Sequence, residues 1–197
     1  HTVDLGCATG DWSYKYLGFS EKVTGIDLNK SFIEEASKKR LLCQNPENII
    51  FLQSNLLDYD DYSQTDFVCS GAVLMYIDDD QLEKLTAKIS SGLKDGSWAY
   101  IRVSVKAAFH KRKDNEGGYY RTRAFYRDLF KRNGFEIVDT ISASHVIIHE
   151  IIRAYCKFFR IPVIESLFFR ISAFFIILKQ IIFGGNDYLN LILKKNR

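Results

Sequence analysis

The tightest constraint on the fold is a short β-type run, Thr2–Leu5, that stops in Gly6-Cys7-Ala8-Thr9-Gly10. The chain then passes directly into a helical stretch over residues 11–19. Small residues at 6, 8 and 10 let a ligand approach the backbone closely, and a helix start turns N–H groups toward it. A second β-type run, 22–28, contains Gly25-Ile26-Asp27-Leu28, which begins 15 residues after Gly10. An acid at the end of a second strand is placed to accept from both hydroxyls of a ribose. Either motif alone has a plain reading, as a tight turn or a helix cap. Their combination at this interval predicts a nucleoside site. The Gly6/Ala8/Gly10 spacing is not that of a dinucleotide loop, and Asp4 beside it suits a cation better than a pyrophosphate.

Strands and helices alternate through the rest of the first 150 residues. A helix over 31–43 is capped by Asn29 or by Lys30-Ser31, and Ile49–Gln53 is a third strand. A strand over 67–70 precedes a helix over 80–93, whose Leu82, Leu85, Ile89 and Leu93 fall on one side. A strand over 97–105, a helix over 123–133 ended by Gly134 and a strand over 135–141 complete the series. This pattern predicts an α/β fold: a Rossmann-like, doubly wound, mostly parallel sheet with helices on both faces. The predicted domain covers residues 1–148, and 149–197 form an apolar, basic helical extension. The chain starts at His1 with a strand already under way, which predicts a piece lacking its natural N-terminus.

Composition separates the two parts. Residues 1–150 carry 19 basic and 22 acidic side chains, whereas 151–197 carry 8 and 2. The overall +3 is too balanced to imply a nucleic-acid partner. Cysteines at 7, 43, 69 and 156 form no C-x-x-C pair and no metal spacing, which fits a reducing, cytoplasmic setting without bound metal. Within 151–178, 20 of 28 residues are apolar, but five charged residues interrupt the run and leave no uncharged stretch long enough to span a membrane. Arg153, Lys157 and Arg160 share one helical face. Two readings stand side by side: peripheral contact of 151–183 with an anionic inner membrane face, or a helical cap or homodimer surface.

VDLGCATG resembles the glycine motif of class I S-adenosylmethionine-dependent methyltransferases, and GIDLN resembles their ribose motif. Gln53-Ser54-Asn55-Leu56-Leu57-Asp58 falls where that family contacts adenine, with Asn55 in place of an acid. The run from Asp66 to Asp78 resembles the family's fourth-strand motif, and Gly92-Leu93-Lys94-Asp95-Gly96 its turn before strand five. The resemblance covers residues 2–141. It implies S-adenosylmethionine as cofactor, with Asp4, Gly6, Cys7, Ala8 and Gly10 on its methionine part and Asp27 and Leu28 on the ribose. It also implies Asn55 and Leu56 on the adenine and Ser70 and Gly71 near the methyl.

The second half is similar to phosphoethanolamine N-methyltransferases and to methyltransferases of bacterial surface-glycan pathways. The similarity runs through Leu74–Asp79, Tyr100–Ser104, Phe109–Lys113 and Tyr119–Thr122. It implies methyl transfer to an O or N atom of a small polar acceptor, phosphorylated or linked to lipid or glycan. Arg102, Tyr120 and Arg121 are the expected substrate-binding residues. Read from residues alone, the basic and aromatic side chains of 106–123 suit an anion such as phosphate. His110 is the histidine placed to act as general base, and Tyr76 orients the acceptor or covers the cofactor. A cofactor-binding, non-catalytic partner subunit is the competing reading from another class. A nucleotide-sugar or NAD enzyme is a third, disfavoured by Asp4 and the glycine spacing.

Overall fold

The computed structural model describes residues 1–43, 45–105, 112–113, 117–143 and 187–196. A seven-stranded sheet runs in the order β3-β2-β1-β4-β5-β9-β8. Its strands are β1 (Thr2–Leu5), β2 (Val23–Asp27), β3 (Ile49–Gln53), β4 (Phe67–Gly71), β5 (Trp98–Val105), β8 (Phe135–Ala143) and β9 (Asp187–Lys195). A small hairpin, β6 (Arg112–Lys113) with β7 (Tyr119–Tyr120), stands apart. The first five strands are parallel, and β9 is antiparallel to both neighbours.

Helices cover both faces. On one side α3 (Asp79–Gly92) and α4 (Arg123–Arg132) bury Leu82, Leu85, Tyr126, Leu129 and Phe130 against Val3, Leu5, Val68, Ile101 and Val103. On the other, α1 (Asp11–Tyr16) and α2 (Lys30–Arg40) pack Ile33 and Ala36 with Val23, Ile49 and Phe51. The caps follow from local chemistry. Asn29 Oδ1 accepts from Ser31 N and Phe32 N, Asp78 from Gln81 N, and Thr122 Oγ1 from Phe125 N. These oxygens satisfy helix-start N–H groups that have no intrahelical partner.

The described C-terminal end corrects the expectation of a helical extension over residues 187–195. Asp187–Lys195 is a strand inserted between β5 and β8. Leu189, Leu191 and Leu193 alternate onto the aliphatic face and are almost fully buried, as period-two packing requires. The domain therefore does not close at residue 148. Residues 144–186, which carry the predicted membrane-contacting stretch, lie outside the described residues.

The strand order reverses between β1 and β4, and the carboxyl ends of these neighbours bear the loops Gly6–Gly10 and Gly71–Val73. Such a switch point opens a crevice for ligands. Ala8 (φ 47°) and Ala72 (φ 68°), one in each loop, hold a left-handed backbone that non-glycine residues rarely adopt. Strain of this kind concentrates at functional sites.

Candidate active site

Two cavities meet at Gly6. The smaller, about 210 Å³, is lined by Gly6, Asp27, Leu28, Asn55, Leu56, Leu57, Val73, Tyr76, Ile77 and Gln81. The larger, about 500 Å³, is lined by Asp4, Gly6, Cys7, Ala8, Gly71, Tyr100 and Arg102, together with Trp12, Tyr16, Phe19, Phe67 and Ile192. Gly6 adopts φ +72°, and a Cβ there would lie 2.6 Å from Val73 Cβ. Only glycine lets the two loops close on each other at this point.

Asp27 is the hinge of the smaller cavity. Its Oδ2 accepts from Ala8 N at 3.0 Å and its Oδ1 from Asn29 N at 2.8 Å. A carboxylate has about four lone-pair sites, so each oxygen keeps one for a further donor. That arrangement matches two vicinal hydroxyls. Asn55 Oδ1 accepts from Leu57 N at 3.0 Å, which leaves its amide N–H groups as the donors it can offer a base.

Four of the loop amides are committed within the protein. Gly6 N and Cys7 N both donate to Ile26 O at 2.8 and 3.0 Å, Ala8 N to Asp27, and Gly10 N to Cys7 O at 2.9 Å. The expectation of free N–H groups concerns the start of α1, whose N-cap Gly10 offers no side chain to them. The commitment of these four loop donors disfavours a pyrophosphate, which needs such groups. What the loop offers instead is bare backbone surface and carboxylates.

Asp4 is 4% exposed, accepts from Ser13 Oγ at 2.5 Å, and stands near the Cys69 thiol at 3.6 Å. Burial raises its carboxyl above the usual range; the Ser13 and Cys69 bonds oppose this, and the Asp27 charge reinforces it. A buried acid with raised proton affinity is prepared for a cation. The folded state holds its proton to higher pH than the unfolded state, so the chain loses stability as pH rises through the raised value. Asp4→Asn is expected to melt higher than the parent at neutral pH, with the gap shrinking as pH falls. Parallel melting curves for the two proteins across pH 4–8 would remove this role for Asp4.

Other expected residues are placed differently. Ser70 is fully buried, and strand alternation turns it with Val68 toward the aliphatic face, where its Oγ has no partner. Its side chain therefore does not line the site, whereas Gly71 does. Gly10 caps α1 at φ +79° and touches neither cavity; a Cβ there would meet Phe51 Cζ at 2.7 Å. Tyr76 stands on the smaller cavity, which fits a cover for the cofactor side better than contact with an acceptor.

Arg121 is the clearest correction. It is 2% exposed and donates to Asp79 Oδ1 at 2.8 Å, Leu74 O at 3.3 Å and Ile77 O at 2.5 Å. Its charge ties the turn Leu74–Tyr76 to the start of α3 and is not available to a substrate. Tyr120 is half-buried on β7 and lines neither cavity. Arg102 does reach the larger cavity; its Nε is buried without a hydrogen-bond partner, and its guanidinium lies 5.7 Å from the Tyr188 ring centre. His110 lies outside the described residues. The aromatic lining at 12, 16, 19 and 67 went unrecognised in the sequence; the i, i+4 spacing of Trp12 and Tyr16 was its available signal.

Comparison with known proteins agrees with this geometry. Residues 2–96 match the family model described as a methyltransferase domain. The chain is 32% identical over 137 residues to phosphoethanolamine N-methyltransferase 1 of Triticum aestivum, covering 66% of this chain and 26% of that protein. It thus spans about a quarter of the length of the curated relatives it matches. Among solved structures, geranyl diphosphate C-methyltransferase from Streptomyces coelicolor A3(2) superposes with TM-score 0.72 at 16% identity, over 98% of this chain and 70% of that one. A phosphoethanolamine N-methyltransferase 2 from Haemonchus contortus gives 0.69 at 17% identity, over 100% of this chain and 48% of that one. These two likenesses establish the shared fold.

Proposed function

We propose, on the premise that residues 2–96 are a methyltransferase domain, that this chain transfers a methyl group from S-adenosylmethionine to an O or N atom of a small polar acceptor. The observation that carries the reading is the pair of cavities joined at Gly6: a carboxylate for a diol on one side, a buried acid for a cation on the other. The residues fit the cofactor. Asp27 would hold the ribose hydroxyls, Asn55 and Leu56 the base, and Asp4 with the Gly6–Ala8 backbone the cationic methionine part.

Bound there, the cofactor supplies an electrophilic methyl on a sulfonium. The chain's task is alignment and exclusion of water, since an in-line displacement needs little else. Held by Asp4, the Gly6–Ala8 backbone and Asp27, the cofactor would give its methyl to an acceptor lone pair, with the displaced electron pair staying on sulfur and the acceptor proton going to solvent or a base. Arg102, at the border of β5 and the larger cavity, anchors an anionic group of the acceptor. His110 is the proposed base for an acceptor that needs deprotonation.

The phosphobase named in the curated relatives is the first acceptor to test, with lipid- or glycan-linked acceptors as the wider class. The apolar, basic stretch 151–183 supports a cytoplasmic protein in peripheral contact with the inner membrane face. Calorimetric titration with S-adenosylhomocysteine followed by a methyl-transfer assay on phosphoethanolamine tests the core of this reading. Micromolar or tighter cofactor binding is expected. Failure to bind, with NAD binding in its place, would overturn it.

A further inference from the structure

The smaller cavity is richer in donors for a base than in acceptors. Asn55 spends an Oδ1 lone pair on Leu57 N, so its amide N–H groups are what it offers a base. The open lone pairs of Asp27 suit a diol. The backbone carbonyls of Asp27, Asn55, Leu57, Val73 and Ile77 each already accept a bond from within the protein. Adenine, however, brings a donor as well as acceptors, an exocyclic amine beside ring nitrogens. Helix α3 supplies the missing partner.

Gln81 lines this cavity from the first turn of α3. Its backbone N–H donates to Asp78 Oδ1 at 2.8 Å, which caps the helix. At this spacing, that of a capping box, a glutamine side chain commonly reaches back to the N–H of the cap residue. Here it does not. Among the described residues, no hydrogen bond uses the Gln81 carboxamide. A carboxamide carries an acceptor and a donor side by side, the pattern that matches the amine and the adjacent ring nitrogen of adenine. Tyr76, also on the lining, has a single hydroxyl and cannot cover both.

We propose that Gln81 selects the base of the methyl donor, its Oε1 accepting from the 6-amino group and its Nε2 donating to the neighbouring ring nitrogen. This rests on the reading that Asp27 and Asn55 hold the donor's nucleoside. A 6-oxo purine presents two acceptors along that edge, so the carboxamide satisfies one and leaves its own oxygen facing the other. Because Asn55 offers donors, discrimination against such a base falls to Gln81.

Calorimetric titration with S-adenosylhomocysteine and with S-inosylhomocysteine, which carries a 6-oxo base, tests this. The parent is expected to prefer the adenosyl compound by about tenfold or more. Gln81→Met keeps the length and helix propensity of the side chain but neither its donor nor its acceptor. It is expected to bind the adenosyl compound about tenfold more weakly and to lose most of the preference. Its melting temperature should stay within about 2 °C of the parent, since the Asp78 cap on the backbone is untouched. Gln81→Glu retains an acceptor and is expected to keep the preference while binding both compounds less tightly. A parent without preference overturns the proposal. So does a preference that Gln81→Met leaves intact, or one that Gln81→Glu abolishes. Asp27→Ala reports the cofactor reading separately. If it removes binding of both compounds while Gln81→Met changes nothing, Gln81 alone loses its role. Binding that neither substitution affects takes the nucleoside out of this cavity altogether.

Discussion

Arg121→Met is expected to lower the melting temperature by roughly 6–12 °C, from a loss of about 3 kcal/mol in a domain of this size. The guanidinium is buried and satisfied by one carboxylate and two backbone carbonyls. Methionine fills the volume but supplies no donor. Leu74 O and Ile77 O then lose this donor, and Asp79 loses its 2.8 Å contact with the guanidinium. Asp79 is one-third exposed, so water recovers part of that loss, and the estimate sits at the low end of the range for broken buried pairs. The effect reaches the site, because Val73, Tyr76 and Ile77 line the smaller cavity. Cofactor affinity is therefore expected to fall with stability. A melting change under 2 °C for Arg121→Met would show that the guanidinium does not organise this turn.

Arg121 also shows what a sequence reveals and what it conceals. Its place between a tyrosine pair and a helix start was legible, and so was its proximity to the ligand edge. Its burial was not, because that depends on Asp79 and two carbonyls more than forty positions away in the chain. The β1 and β2 motifs were legible for the opposite reason. Gly6 and Asp27 act through local backbone geometry and through contacts between adjacent parallel strands, which the order of elements already implies. Strand alternation decided Ser70 against the site and Gly71 for it, yet one residue of register separates them, and register is fixed by pairing with β1 and β5. The last strand was hidden in a different way. Leu189, Leu191 and Leu193 alternate plainly, but the apolar, basic stretch before them drew the whole segment into one helical reading. Only the gap between β5 and β8 in the sheet shows where those leucines belong.

Asp27→Ala is expected to weaken S-adenosylhomocysteine binding by at least ~100-fold, which removes measurable binding for a micromolar ligand. Two losses combine. Each hydrogen bond from a hydroxyl to a carboxylate contributes about 1.5–3 kcal/mol, and the ribose would offer two. Alanine also releases Ala8 N and Asn29 N, which fix the glycine loop and the cap of α2. Asp27→Asn separates these contributions. Its single carbonyl oxygen can keep one backbone donor and one hydroxyl, so an intermediate loss near tenfold is expected, together with a smaller change in melting temperature than for alanine. Because the carboxylate is half-exposed and anchors only loop amides, neither variant should unfold the sheet. Circular dichroism of the two variants would thus match the parent while calorimetry separates all three. Cofactor affinity within threefold of the parent for Asp27→Ala would mean that the diol lies elsewhere, and the smaller cavity would then lose its assignment.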